Sequence, residues 1–186
     1  MNGHVDPPEI RPMTAGDAAA VLAFARALPA HDLLFLPRDI THPKVLEAWV
    51  HELERGTLKS LVAVRGENVI GNATVVFDPL SWSPHVAELR VVVSPDARGL
   101  GLGRRLMEAA FALAIPLGIE KLIAQMTVDQ SAAIATFETM GYRAEALLRE
   151  HVRDRDGVKH DIVILSYNVA DVQARSAAYG RGEGDS

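Results

Sequence analysis

The residues whose types and spacing suggest chemistry are concentrated in one stretch: Val91-Val92-Val93-Ser94-Pro95-Asp96-Ala97-Arg98-Gly99-Leu100-Gly101-Leu102-Gly103-Arg104-Arg105. Three consecutive valines suit a strand buried on both faces. Glycines at alternate positions then let backbone N–H groups converge without Cβ obstruction. The helix start behind them adds unpaired donors and the positive end of a helix dipole. Strand, glycine loop and helix together make an anion site, most naturally for phosphate. Arg98, Arg104 and Arg105 add charge to it. Without a ligand, the same residues would make a tight turn that packs a helix on a sheet.

Spacing excludes two familiar phosphate motifs. A P-loop needs Lys-Ser/Thr after its glycines, and none follows here. The dinucleotide fingerprint Gly-x-Gly-x-x-Gly fails because its sixth position is Arg104 when counted from Gly99, and Leu106 when counted from Gly101. Metal chemistry has as little support. His51-Glu52 starts a zinc-type His-Glu-x-x-His, but the fifth residue is Arg55. With no cysteine in the chain, disulfides, thiolate metal sites and a cysteine nucleophile are impossible.

The elements that must position this loop can be read from the hydrophobic pattern. Thr14 and Asp17 fit a capping box, with Val21, Leu22, Ala25 and Leu28 as the apolar stripe of a helix ending near Pro29. Residues 31–42 read as a loop. Pro43 suits a first helical position, Val45, Leu46, Trp49, Val50 and Leu53 repeat at helical spacing, and Gly56 stops that helix. Residues 60–64 and 69–77 read as a hairpin about Gly66-Glu67-Asn68, and residues 85–93 as a third strand. A helix over 103–115 follows, with the stripe Leu106, Ala110 and Leu113, ended by Pro116. Then come a strand over 122–127, a helix over 131–140 stopped by Gly141, and a last hairpin over 143–152 and 162–167.

The expected order, α-α-β-β-β-α-β-α-β-β, is one mixed α/β domain over residues 9–170. A flexible lead-in (residues 1–8) and a disordered tail (residues 171–186) flank it. The strands at 85–93 and 122–127 should be parallel and joined by a crossover.

Composition agrees with a globular domain. The chain has 186 residues, of which 48% are apolar and 23% charged. Nineteen Lys and Arg against 24 Asp and Glu leave a net charge of -5. That disfavours nucleic acid as the partner, as does the 5% aromatic content. No secretory leader and no membrane-length apolar run is visible, so a cytoplasmic location is expected. The last hairpin leaves a sheet edge that invites pairing of two copies into a homodimer.

Arg98, Gly101 and Gly103 spell Arg-x-x-Gly-x-Gly after a Val-x-x-Pro turn. This resembles the coenzyme A signature of the GCN5-related N-acetyltransferases. The order of elements, and Gly141-Tyr142 after the last helix, resemble that family too. The resemblance implies a mostly antiparallel mixed sheet that splays between two parallel central strands. Acetyl-CoA would sit in the splay as co-substrate, without a metal. Backbone groups of Val91, Val92 and Val93 would pair with the pantetheine arm. The segment Arg98, Gly99, Leu100, Gly101, Leu102, Gly103 and Arg104 would hold the pyrophosphate. A central strand pair without full mutual pairing has free N–H groups to offer.

Acyl transfer to an amine needs a base, because an amine of reference pKa about 10.4 is protonated at neutral pH. Glu88, five residues before Val93, occupies a position near which family members carry a basic glutamate. Alternatively it faces solvent or pairs with Arg90. His85 is a second candidate. Where the family places an acidic tyrosine this chain has Phe137, and Gln130 replaces an asparagine. Asp32, Asp39, Asp129, Glu150 and Asp161 are candidate contacts for a cationic amine, and the overall negative charge mildly favours such amines. His151 and His160 would face each other across the last hairpin. The function implied is direct acetyl transfer to a small-molecule or protein amine. The rival is a non-catalytic acyl-CoA sensor on the same fold.

Overall fold

A computed structural model of the chain describes residues 7–170. The predicted tail, and all of the predicted lead-in except Pro7 and Pro8, fall outside the described residues.

Seven strands form one sheet in the order β1-β2-β3-β4-β5-β7-β6. They are β1 (Glu9–Pro12), β2 (Leu58–Arg65), β3 (Asn68–Phe77), β4 (Val86–Val93), β5 (Lys121–Thr127), β6 (Arg143–Arg153) and β7 (Lys159–Asn168). Four helices flank the sheet: α1 (Ala18–Ala27), α2 (Pro43–Arg55), α3 (Leu102–Ala114) and α4 (Ser131–Thr139). All the neighbouring strand pairs are antiparallel except β4 and β5, which are parallel as predicted.

Local chemistry accounts for the helix ends. The Asp17 carboxylate accepts from Thr14 N at 2.8 Å and Thr14 Oγ1 at 3.0 Å, closing the turn that leads into α1. Pro43 starts α2, and Gly56 ends it with φ +75°. Pro116, in a short 3-10 turn, ends α3.

One strand escaped the sequence pattern. β1 pairs with β2 from Glu9↔Val64 to Pro12↔Leu61. Four residues ending in proline carry too little periodicity to announce a strand. What fixes β1 is distant pairing, together with a fork in which Arg11 donates to Asp17 at 2.9 and 2.7 Å.

The two helix layers bury different faces of the sheet. Leu106, Met107 and Ala110 of α3 pack with Ala73, Ala87, Leu89, Leu122 and Leu165. Val21, Phe24 and Ala25 of α1 and Leu46 of α2 pack with Val62, Val69 and Val92 on the other face. Side chains alternate along β4. Ala87, Leu89, Val91 and Val93 therefore serve the α3 side, and Glu88, Arg90 and Val92 the α1–α2 side.

Candidate active site

The site is created where β4 and β5 part. They pair only at Val86↔Lys121, Ala87↔Leu122 and Glu88↔Ile123. Beyond Glu88, β4 continues against β3 alone, out to Gly71↔Val93. β5 continues against β7 alone, out to Thr127↔Ile162. Backbone groups facing the gap have no strand partner there, which is the splay the family resemblance implies.

A cleft of about 570 Å³ occupies this gap. Val91, Val92, Val93, Arg98, Gly99, Gly101, Leu102, Gly103 and Arg104, residues that the resemblance assigns to the cofactor, line it. Leu100 does not, and is 69% exposed. Gly99 and Gly101 adopt φ of +73° and +76°, and Gly101 is the N-cap of α3. A side chain there would be strained by the backbone angle alone, since a Cβ would meet nothing within 4 Å. The loop thus leaves open space in front of a helix N-terminus, a geometry that fits a pyrophosphate.

The arginines of the loop behave otherwise than their charge suggested. Arg98 turns back, donating to Val93 O from Nε at 3.2 Å and from Nη2 at 3.1 Å, and pairs with Asp32. Arg104 pairs with Glu108 at 2.9 Å, and Arg105 donates to Pro8 O at 3.1 Å. The three guanidiniums are thus engaged within the chain and tie the loop to its surroundings.

Glu88 marks the apex of the splay, on its last paired residue. Its side chain is on the α1–α2 face, and it does not line the cleft. Oε2 accepts from Arg90 Nη2 at 2.7 Å, while Oε1 is buried without a partner. One oxygen is committed to Arg90 and the other has no hydrogen-bond partner.

The opposite wall brings in residues that the motif did not indicate. His31, from the loop after α1, lines the cleft. Its Nε2 is 2.8 Å from Asp129 Oδ2 and 3.3 Å from Thr127 Oγ1. Asp129 is held below the usual carboxylate range, first by the Thr127 hydroxyl and further by His31, against partial burial. The ring of His160 stands edge-on to His31 at 5.1 Å and bonds Asp154 at 2.7 Å. Arg155 ties the same hairpin to Asp39 at 2.9 Å. No local signal links positions so far apart in the chain.

The expected His151–His160 pairing is corrected. His160 aligns with Val152, because the ladder shifts between Leu148 and Val152. Glu150 adopts φ +48° in that bulge, and its N–H donates to Asp161 Oδ1 at 2.7 Å. His85 precedes β4 and is not among the cleft residues.

Phe137 lines the cleft and packs edge-on against Tyr142 at 4.9 Å. Burial pushes the Tyr142 hydroxyl far above its ordinary pKa, so it serves as packing. Gly141 beside it has φ +101°, and a Cβ there would meet Tyr167 at 3.1 Å. Gln130 turns inward, its Oε1 accepting from Thr127 N at 3.3 Å. Among the described residues no group of His, Asp and Glu could hold a metal ion, and no helix is long and apolar enough to cross a membrane.

A strand pair splayed over a glycine loop at a helix N-terminus defines a class of coenzyme-binding folds, and comparison with known proteins gives that class its name. The sequence profile of the Acetyltransferase (GNAT) family matches residues 24–142, so the chain belongs to that family. Mycothiol acetyltransferase of Geodermatophilus obscurus is 33% identical over 85 residues, 44% of this chain. The match spans only 28% of that relative's length. Ribosomal-protein-alanine N-acetyltransferase of Brucella melitensis superposes with a TM-score of 0.73 at 26% identity, covering 86% of this chain and 99% of that one. Two more distant structures share the fold. One is yncA of Salmonella typhimurium, solved with its cofactor acetyl-CoA (TM-score 0.74, 20% identity, 88% and 95% coverage). The other is the Vibrio cholerae spermidine N-acetyltransferase with CoA and spermine (TM-score 0.73, 16% identity, 88% and 96% coverage).

Proposed function

We propose that this chain transfers the acetyl group of acetyl-CoA directly to a primary amine, on a small molecule or a protein, in the cytoplasm. One observation carries the reading: the strands diverge just beyond Glu88, which opens a cleft in front of the glycine loop that suits a pyrophosphate-bearing arm. Amides of residues 98–104 would hold the pyrophosphate, and the unpaired edge of β4 beyond Glu88 would bond the pantetheine arm as an added strand. Acetyl-CoA supplies an activated acyl group.

Glu88 is the general base in this reading. Arg90 fixes its carboxylate, and the free Oε1 takes the proton of the attacking amine, directly or through water. An unpaired β4 N–H stabilises the oxyanion. Phe137 has no proton to give. A thiol of reference pKa about 8.5 can nevertheless leave largely as thiolate at mildly alkaline pH. No covalent acyl-enzyme is required.

Phe137 and the Glu88–Arg90 pair favour one rival, a non-catalytic acyl-CoA sensor. Thiol release from acetyl-CoA across a panel of primary amines, with mass spectrometry of the products, separates the two. Acetylated amine is the expected result. Tight acetyl-CoA binding with no product from any amine or lysate protein would favour the sensor. The nearly fully exposed edge strand β6 is, in the same reading, where two copies pair. Sedimentation as a monomer at micromolar concentration would remove that part.

A further inference from the structure

A second cavity, of about 260 Å³, lies between the helix pair and the sheet. Phe24 of α1 and Val45 and Trp49 of α2 form one side of it, and Val76, Thr74 and Val92 form the other. Val92 lines both this cavity and the cofactor cleft, and so stands between the two spaces. It is on the face of β4 that also carries Glu88, which lines neither.

Protein interiors are packed closely, with few voids larger than a water molecule. An apolar space of about 150 Å³ is already enough to take benzene. Asn72 and Thr74 in the floor are satisfied within the sheet, whereas Trp49 Nε1 and Arg90 Nε in the lining are buried without a partner. Thr74 donates to Asn72 Oδ1 at 3.1 Å, and Asn72 Nδ2 donates to Ser60 Oγ and to Leu61 O at 3.0 and 2.8 Å. Charge sharpens the reading. Glu52 is the single carboxylate in the lining, against the guanidiniums of Arg38 and Arg90. Arg90 is already paired with Glu88, so Glu52 and Arg38 balance each other and no surplus carboxylate is left to hold a polycation.

We propose that this cavity receives the apolar body of the acceptor, so that the preferred substrates are small primary amines with a branched aliphatic or aromatic tail. The assignment rests on the acetyl-transfer reading and narrows its substrate class. The tail occupies the space between the helix pair and the sheet, and the amine is presented past Val92 towards the apex of the splay. The amine nitrogen forms a bond to the acyl carbon, the carbon–sulfur bond breaks, and the proton lost by nitrogen passes to Glu88 while the thiolate departs.

The cavity carries its own reporter. The chain has two tryptophans, and Trp82 is fully exposed, so Trp82→Phe leaves Trp49 as the sole indole. Titrating that protein with phenethylamine or isopentylamine is expected to give a saturable change in Trp49 fluorescence, and spermidine none at the same concentration. Val45→Phe and Val76→Phe, which fill the cavity from opposite sides, should each abolish the change. Their unaltered acetyl-CoA affinity would show that the fold is intact. In thiol-release assays kcat/KM for phenethylamine should exceed that for spermidine at least tenfold. Val45→Phe should reduce it through KM.

Equal or better use of spermidine would overturn the assignment, as would a phenethylamine response that survives both filling variants. A Trp49 response without turnover of any amine would support the cavity while removing acetyl transfer. Turnover of spermidine without a Trp49 response would do the reverse.

Discussion

The two faces of β4 divide the proposed work unequally. On the α3 side, Leu89, Val91 and Val93 run into the glycine loop, and a continuous stretch of chain builds the cofactor wall from backbone groups. On the α1–α2 side, Arg90 and Val92 meet side chains brought from α1, α2, β3 and the loop between the helices. A cofactor held through main-chain amides can be bound by a short local motif. An acceptor read by side chains needs the whole fold to assemble its site. Variation in acceptor chemistry is therefore expected on the second face, with the first unchanged.

The largest break in this division should come from the loop. Gly101→Val forces a β-branched residue to φ +76°, and is expected to weaken acetyl-CoA binding by about tenfold or more. At saturating acetyl-CoA its kcat should stay close to wild type. Calorimetric titration against acetyl-CoA checks the first part and thiol release the second.

His31→Asn should have a smaller and opposite effect. It removes the bond to Asp129 that joins the loop after α1 to the β5 wall. A net loss of about 1 kcal/mol predicts roughly a fivefold rise in amine KM. Because His31 also lines the larger cleft, the acetyl-CoA dissociation constant should rise, but by less than the amine KM. If it rises as much as the amine KM, the two faces are not separate.

Away from both faces, Asp17→Asn should cost about 1 kcal/mol of stability by weakening the start of α1. The Arg11 guanidinium and the Thr14 donors hold the Asp17 carboxyl far below its usual range. A carboxylate so depressed stabilises the fold above its unfolded pKa of about 3.9, and the contribution is lost as pH falls through the folded value. Melting temperatures of wild type and Asp17→Asn should therefore differ at pH 7 and converge progressively below about pH 4. Acetyl transfer at saturating substrates should be unaffected.

The same division governs what could be read from the sequence. The strand, glycine loop and helix that wall the larger cleft were legible because their signal is local: valines, a proline turn and alternate glycines fall within fifteen positions. Capping signals at Thr14, Asp17, Pro43 and Gly56 placed two helices for the same reason. β1 was not legible, since four residues ending in Pro12 carry no pattern apart from their partner strand. The His31–Asp129 contact joins residues 98 positions apart, and only the meeting of a loop, a strand end and a hairpin creates it. The misplaced histidine pair has a local cause. The bulge at Glu150 changes the register, and no period-two pattern reveals an inserted residue. Glu88 was legible as a carboxylate on the right strand, but its place at the last β4–β5 pair depends on where the strands stop pairing.

The most direct measurement compares Glu88→Gln with Gly101→Val, recording acetyl-CoA affinity by calorimetry and kcat by thiol release on the same preparations. The account predicts a crossed result. Glu88→Gln should keep wild-type affinity and lose at least about a hundredfold in kcat, the scale of general base catalysis. Gly101→Val should lose affinity and keep kcat. A Glu88→Gln protein that turns over amine at the wild-type rate would contradict the assignment of the base, and with it the division of labour across β4.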